Sequence, residues 1–145
     1  MAVLLDTNIL LRIMQPHAPQ AAIAKRALDT LRNRNEALHI TSQNIVEFWA
    51  VATRPPGENG LGLTVEQAIQ EVIVLKRQFS LLPEKPLLSE WERPVATHRV
   101  SGKNSHDARI VAAMIVHGVG GILTFNVQDF TRYPGIFVLD PRTVA

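Results

Sequence analysis

Cysteine is absent from the 145 residues, which excludes disulfides, thiolate zinc sites and a cysteine nucleophile. The absence fits a cytoplasmic setting. No apolar run reaches the ~18 residues needed to span a bilayer, so no membrane role is expected. The first apolar stretch has no basic segment ahead of it and is interrupted by Asp6, which argues against a secretory leader. Internal repeats and low-complexity tracts are missing too. There is no strong excess of one charge: the formal charge is +2 although the pI is near 9.4. That balance permits a nucleic-acid partner without demanding one. What is present is an ordinary globular composition, 46% hydrophobic and 19% charged, of a length that suits one domain over residues 1–145.

Short apolar runs alternate with amphipathic segments along the chain. Ala2–Leu5 reads as a strand buried on both faces, followed by a helix over Asn8–Met14. A second helix spans Gln20–Arg34, where Ile23, Ala27 and Leu31 form the apolar stripe. Leu38–Ile40 is a second strand, and Thr41 or Ser42 caps a helix over Gln43–Thr53. The Pro- and Gly-rich Arg54–Gly62 is a loop, and Thr64 with Gln67 forms a capping box for the next helix. Ser80–Leu82 gives a third strand, and a helix near Ser89–Val100 must be started or kinked by Pro94. Asn104 or Ser105 caps a helix ending at His117. Strands at Gly121–Thr124 and Ile136–Leu139 flank a short helical turn within Val127–Thr131. This alternation predicts an α/β fold: a parallel sheet with helices on both faces, whose ligands sit beyond the C-terminal strand ends.

Acids fall at those ends. Asp6 follows the first strand, Glu47 lies early in the helix after the second, Asp107 opens the helix before the fourth, and Asn126 and Asp129 follow the fourth. Glu47 has apolar neighbours, and Asp107 precedes Ile110, Val111 and Met114 at helical spacing. Charges on apolar faces are costly, and carboxylates brought together repel until some stay protonated or a cation offsets them. An all-oxygen donor set without cysteine or a His-x-x-x-His pair suits Mg2+ or Mn2+ rather than zinc. Such an ion binds a phosphate oxygen and activates a water, which is the chemistry of phosphodiester hydrolysis.

Taken one at a time, the acids also have plain explanations. Asp6 can cap a helix, Asp107 can complement a helix dipole, and Asp129 can be a loop acid. His106 reads as a solvated surface residue, and Trp49 as core or interface, although Trp49 and Trp91 can both stack on bases. Lys25, Arg26, Arg32 and Arg34 read as a solvated helix face.

"LLDTNILL", "NIVEFWAVATRP", "SGKNSHDARIVAAM" and "ILTFNVQDF" together resemble a PIN domain, and more closely the VapC-like ribonuclease toxins of bacterial toxin–antitoxin modules. The resemblance covers essentially the whole chain in order. It implies a three-layer α/β/α sandwich with a central, mostly parallel sheet of four to five strands. It also implies a Mg2+- or Mn2+-dependent endoribonuclease acting on single-stranded RNA, working as a homodimer with a cognate antitoxin partner. Asp6, Glu47, Asp107 and Asp129 would be the catalytic, metal-binding acids, with Asp6 and Asp107 the principal ligands. Thr7, Asn8, Thr124 and Asn126 would orient carboxylates or waters. Many relatives carry an aspartate where this chain has Asn126, so Asp129 alone supplies charge in that motif. Arg12, Arg54, Lys103 and Arg109 are the cations placed to contact RNA phosphates.

Two other readings compete. One is a non-enzymatic RNA- or protein-binding module of the same fold, which the Asn126 departure keeps open. The other is a phosphatase of the haloacid-dehalogenase type with Asp6 as nucleophile. Such enzymes need a second acid two residues later, where this chain has Asn8.

Overall fold

The chain forms a five-stranded, all-parallel sheet flanked by six helices, seen here in a computed structural model describing residues 1–144. The elements run β1 (Ala2–Leu5), α1 (Thr7–Ile13), α2 (Pro19–Asn33), β2 (Ala37–Ile40), α3 (Ser42–Ala52), α4 (Val65–Gln78), β3 (Ser80–Leu81), α5 (Leu88–Thr97), α6 (Asn104–His117), β4 (Gly121–Leu123) and β5 (Phe137–Leu139). Short 3-10 turns occupy Pro56–Glu58 and Val127–Asp129. Among the described residues no helix is long and apolar enough to cross a membrane.

The strand order is β3-β2-β1-β4-β5. From β1 the chain winds outward one way to β2 and β3, then returns to lay β4 and β5 on the other side. The direction reverses between β1 and β4, where Val3, Leu4 and Leu5 pair with Gly121, Ile122 and Leu123. At such a reversal the connections after neighbouring strands leave toward opposite faces and open a crevice at the C-terminal edge.

Side-chain alternation along the strands divides the core into two layers. Val3 and Leu5 of β1 and Leu123 of β4 point into one, packed by Ile9 and Leu10 of α1, Ala24 and Leu28 of α2, Phe48 of α3 and Leu75 of α4. Leu4 and Ile122 point into the other, packed by Ile110, Val111 and Met114 of α6 and by Phe130 and Tyr133. Trp91 and Val95 of α5 pack against the second layer from outside. β1 is the sheet's centre and carries no exposed apolar residue after Ala2, which explains its continuous run of apolar residues.

The local signals act largely as the sequence predicts. Thr41 caps α3 and exchanges bonds with Asn44, and Thr64 with Gln67 closes the box at α4. One expectation fails, and one of two alternatives is decided. Neither Asn104 nor Ser105 caps α6: the cap position belongs to Lys103, without a side-chain bond, while Ser105 Oγ turns back to donate to the Gly102 carbonyl at 2.7 Å. Pro94 does not start α5 but sits inside it, where its nitrogen has no hydrogen to give the preceding turn.

Helix α6 stops at Gly118, which takes the left-handed conformation (φ 67°) and returns its N–H to Ile115 and Met114. A Cβ there would meet nothing within 4 Å. The cost of Gly118→Ala is therefore backbone strain alone, about 1 kcal/mol. Urea unfolding should show that loss, with a smaller one for Gly118→Asn; an unchanged midpoint for the alanine variant would show that this turn does not depend on glycine.

Candidate metal centre

The crevice between β1 and β4 is floored by hydrogen bonds. Asp6 extends β1 by one residue, its N–H donating to the Leu123 carbonyl of β4 at 2.9 Å. Its side chain is only 7% exposed. Asp6 Oδ1 accepts from the Thr7 N–H at 2.8 Å, and Oδ2 accepts from Thr124 Oγ1 at 2.7 Å and Asn8 Nδ2 at 3.3 Å. The Thr124 hydroxyl in turn accepts from Asn8 Nδ2 at 3.2 Å and from the Asn126 N–H at 2.9 Å. One donor and two acceptor positions exhaust a hydroxyl. Its proton is thus committed to Asp6. Asn8 Oδ1 completes the set by accepting from the Phe125 N–H at 3.2 Å.

Glu47 arrives on α3, half-buried in its second turn. Oε1 accepts from Gln43 Nε2 at 2.7 Å, and Oε2 accepts from Thr7 Oγ1 at 3.3 Å. The Thr7 hydroxyl is itself aimed by Asn44 Nδ2, which donates to it at 3.1 Å. Asn44 is fully buried, with Oδ1 accepting from the Thr41 N–H and hydroxyl at 2.8 and 2.9 Å. Gln43 also donates to the His106 carbonyl at 2.9 Å and accepts from Arg109 Nη1 at 2.8 Å. One amide side chain therefore joins α3 to α6 across the strand ends. Sequence reasoning passed over both Gln43 and Asn44. The signal for them was their position one helical turn ahead of Glu47, which places all three on the same side of α3.

Asp107 stands in the first turn of α6, and Asp129 closes the 3-10 turn after β4. Burial is the main reason the Asp107 carboxyl is pushed up to about 7; the charges of Asp6, Asp129 and Glu47 add to it, and Lys103 opposes them. Asp6 is raised as well, first by burial, with Thr124 and Thr7 working against the rise and Glu47 and Asp129 adding to it. The four carboxylates thus act on one another through space. They do not close around a point: among the described residues no group of three Asp, Glu or His side chains is gathered tightly enough to hold an ion. The two observations agree, because charges repel over longer distances than those at which oxygens ligate. Two direct carboxylates, with waters filling the remaining positions, is the coordination Mg2+ prefers. The donor set fits that ion.

The other expected site residues divide. Asn126 is exposed and enters the network only through its N–H. Lys103 is exposed at the start of α6 and is felt by Asp107, while Arg109 is bonded to Gln43. Arg12 is turned to Gln20 and Gln15 at 2.6 and 2.9 Å instead. Arg54 lies past the end of α3, seven residues beyond Glu47 and so roughly 10 Å further along the helix direction. Asn8, where a phosphatase would need its second acid, donates to Asp6.

Comparison with known proteins gives the chain's relatives. The PIN domain family matches residues 3–136. Ribonuclease VapC24 of Mycobacterium tuberculosis is 26% identical over 144 residues, covering 96% of each chain. Among solved structures, VapBC2 from Rickettsia felis bound to a promoter DNA fragment superposes with a TM-score of 0.70 at 16% identity, over 97% of this chain and 98% of that one. VapBC-1 from nontypeable Haemophilus influenzae gives 0.70 at 22% identity, over the same shares. FitAcB from Neisseria gonorrhoeae gives 0.66 at 19% identity, over 97% and 99%.

The raised carboxyls set a stability profile. A carboxyl whose pKa rises on folding binds more protons in the folded state, so metal-free stability falls as pH climbs from about 4 to about 7 and levels off above. Asp107→Asn removes the part of that slope that belongs to Asp107. With allowance for solvent screening at a half-buried group, it should stabilise the metal-free protein by about 1–2 kcal/mol at pH 8 and by little at pH 4. Urea midpoints in EDTA at both pH values check this, and equal slopes for variant and wild type would contradict it.

Proposed function

This chain belongs to the PIN-domain family, and from that premise we propose that it is a metal-dependent endoribonuclease of the VapC type. The observation that carries the reading is the position of Asp6, Glu47, Asp107 and Asp129 around one strand-order reversal, where burial first, and the charges of Asp6, Asp129 and Glu47 after it, push the Asp107 carboxyl up to about 7. Its similarity to a protein named as a ribonuclease supports the substrate class. When bound, Mg2+ or Mn2+ would offset carboxylate charge, take a phosphate oxygen and lower the pKa of a water that attacks phosphorus.

The chain's own groups divide the remaining work. Asp6 and Asp107 would hold the ion, with Asp129 bonding through water. Glu47, fixed at both oxygens by Gln43 and Thr7, would orient the attacking water and accept its proton. Thr124 and Asn8 keep Asp6 in one orientation, so its ligating lone pairs do not wander. Lys103 and Arg109 would contact the RNA phosphates on either side of the cleaved bond. Attack by water with the 3′ oxygen as leaving group, the course the family resemblance implies, would break the P–O3′ bond to give a 5′-phosphate and a 3′-hydroxyl and needs no 2′-hydroxyl.

The same reading extends to setting and partners. A toxin–antitoxin complex from Klebsiella pneumoniae shares the fold at 20% identity and a TM-score of 0.64, and VapBC2 is bound to a promoter DNA fragment; these support a toxin role with a cognate antitoxin, and a homodimer in the cytoplasm belongs to the same proposal. One finding favours the alternative, a weakened binding module: the carboxylates are not gathered tightly enough to enclose an ion directly.

A single comparison separates the two. Purified protein with Mn2+ should cut a labelled single-stranded RNA. Asp6→Asn and Asp107→Asn should each lower the rate by about 100-fold or more, a loss of at least ~2.7 kcal/mol of transition-state stabilisation, while circular dichroism stays unchanged. Mn2+ binding without Asp6-dependent cleavage would decide for the module.

A further inference from the structure

Beside Arg109 lies a hollow of about 200 Å3 lined by Lys85, Leu87, Leu88, Trp91 and Arg109. It opens between the segment joining β3 to α5 and the first turns of α6. Its composition differs from that of the larger hollow of about 520 Å3 between α1, α2 and α4, where Asp29 and Glu71 mix with Lys25 and Arg32. Here two cations and no acid accompany an apolar wall. Glu84, the acid on that segment, is outside this hollow; it accepts from the Ser42 hydroxyl and lines a smaller recess beside it. Leu88 is 66% exposed in spite of its size. The Trp91 indole is fixed by its N–H, which donates to the Ser105 carbonyl at 2.9 Å.

Hydrogen bonds link the hollow to the carboxylates. Arg109 is two residues past Asp107, and its Nη1 reaches Glu47 through Gln43. That bond uses one of the five N–H donors of the guanidinium. A smaller recess shares Lys85, Leu87 and Arg109 and runs to Thr41 and Ser42 at the end of β2.

We propose that this hollow is a nucleotide subsite, holding one base of the RNA strand against Leu88 and Trp91 and an adjacent phosphate between Lys85 and Arg109. A single-stranded polyanion with apolar base faces is the occupant that matches cations beside an aromatic wall. The subsite rests on the ribonuclease reading above and adds to it a specific place where the strand leaves the carboxylates.

The test measures binding and small-substrate hydrolysis separately. Trp49→Phe leaves Trp91 as the only tryptophan, because the chain has two. Titration with a short single-stranded oligoribonucleotide in EDTA, where no cleavage occurs, should quench its emission; inorganic phosphate should not. Leu88→Ala and Lys85→Ala, both at exposed positions, should each weaken RNA binding by about tenfold. Lys85→Ala should also reduce the salt dependence of log K by about 0.7. Both variants should hydrolyse bis(p-nitrophenyl) phosphate with Mn2+ at the wild-type rate, since that substrate has no flanking nucleotide. Cleavage of RNA by the wild type, with affinity unchanged in both variants and Trp91 emission unmoved, would overturn the subsite and leave the nuclease standing. Failure of the wild type to bind or cut RNA would remove both.

Discussion

A carboxylate held at the end of a fully buried strand is the constraint around which this molecule is arranged. Asp6 cannot retreat to solvent, because β1 is the centre of the sheet and its next residue opens α1. Burial drives its pKa upward, and the fold answers with three donors from Thr7, Thr124 and Asn8. Those donors are fixed in turn by the β1–β4 pairing, which sets Thr124 beside Asp6. Moving β4 by one residue would turn Thr124 to the other face and take from the carboxylate its shortest donor, leaving the Thr7 N–H and Asn8.

The same geometry explains why the remaining acids collect where they do. In a parallel sheet every helix that follows a strand begins at the same edge. Glu47 lies early in α3 and so stays near that edge, and Asp129 follows β4 directly. Asp107 reaches it differently, from the start of α6, whose C-terminal end feeds β4 from below. The charges therefore converge through topology, without any attraction between them. Burial raises the carboxyl of Asp107 first and repulsion from the other acids adds to it; a divalent cation would relieve both costs.

Much of this was legible in the sequence, for reasons that differ by residue. β1 and β4 could be read because strands buried on both faces need unbroken apolar runs. Asp6 stood out because it broke one. Gln43 and Asn44 did not stand out, since a polar residue early in a helix looks the same whether it faces water or a carboxylate; only their hydrogen bonds distinguish the cases. Arg12 misled in the opposite way. It is close to Asp6 along the chain, but near the end of α1 its guanidinium meets the amides of Gln15 and Gln20 first. The start of α6 was misplaced because Ser105 has two uses for its hydroxyl, and bonding to the Gly102 carbonyl displaced capping.

Gln43 has one more consequence, mechanical rather than chemical. Helices α3 and α6 pack on opposite faces of the sheet, and this side chain buckles them together over the strand ends through Glu47, the His106 carbonyl and Arg109. The two layers cannot slide past each other without unfastening the group that points Glu47. Small relative shifts of the sandwich are thus felt at the carboxylates before the apolar core registers them.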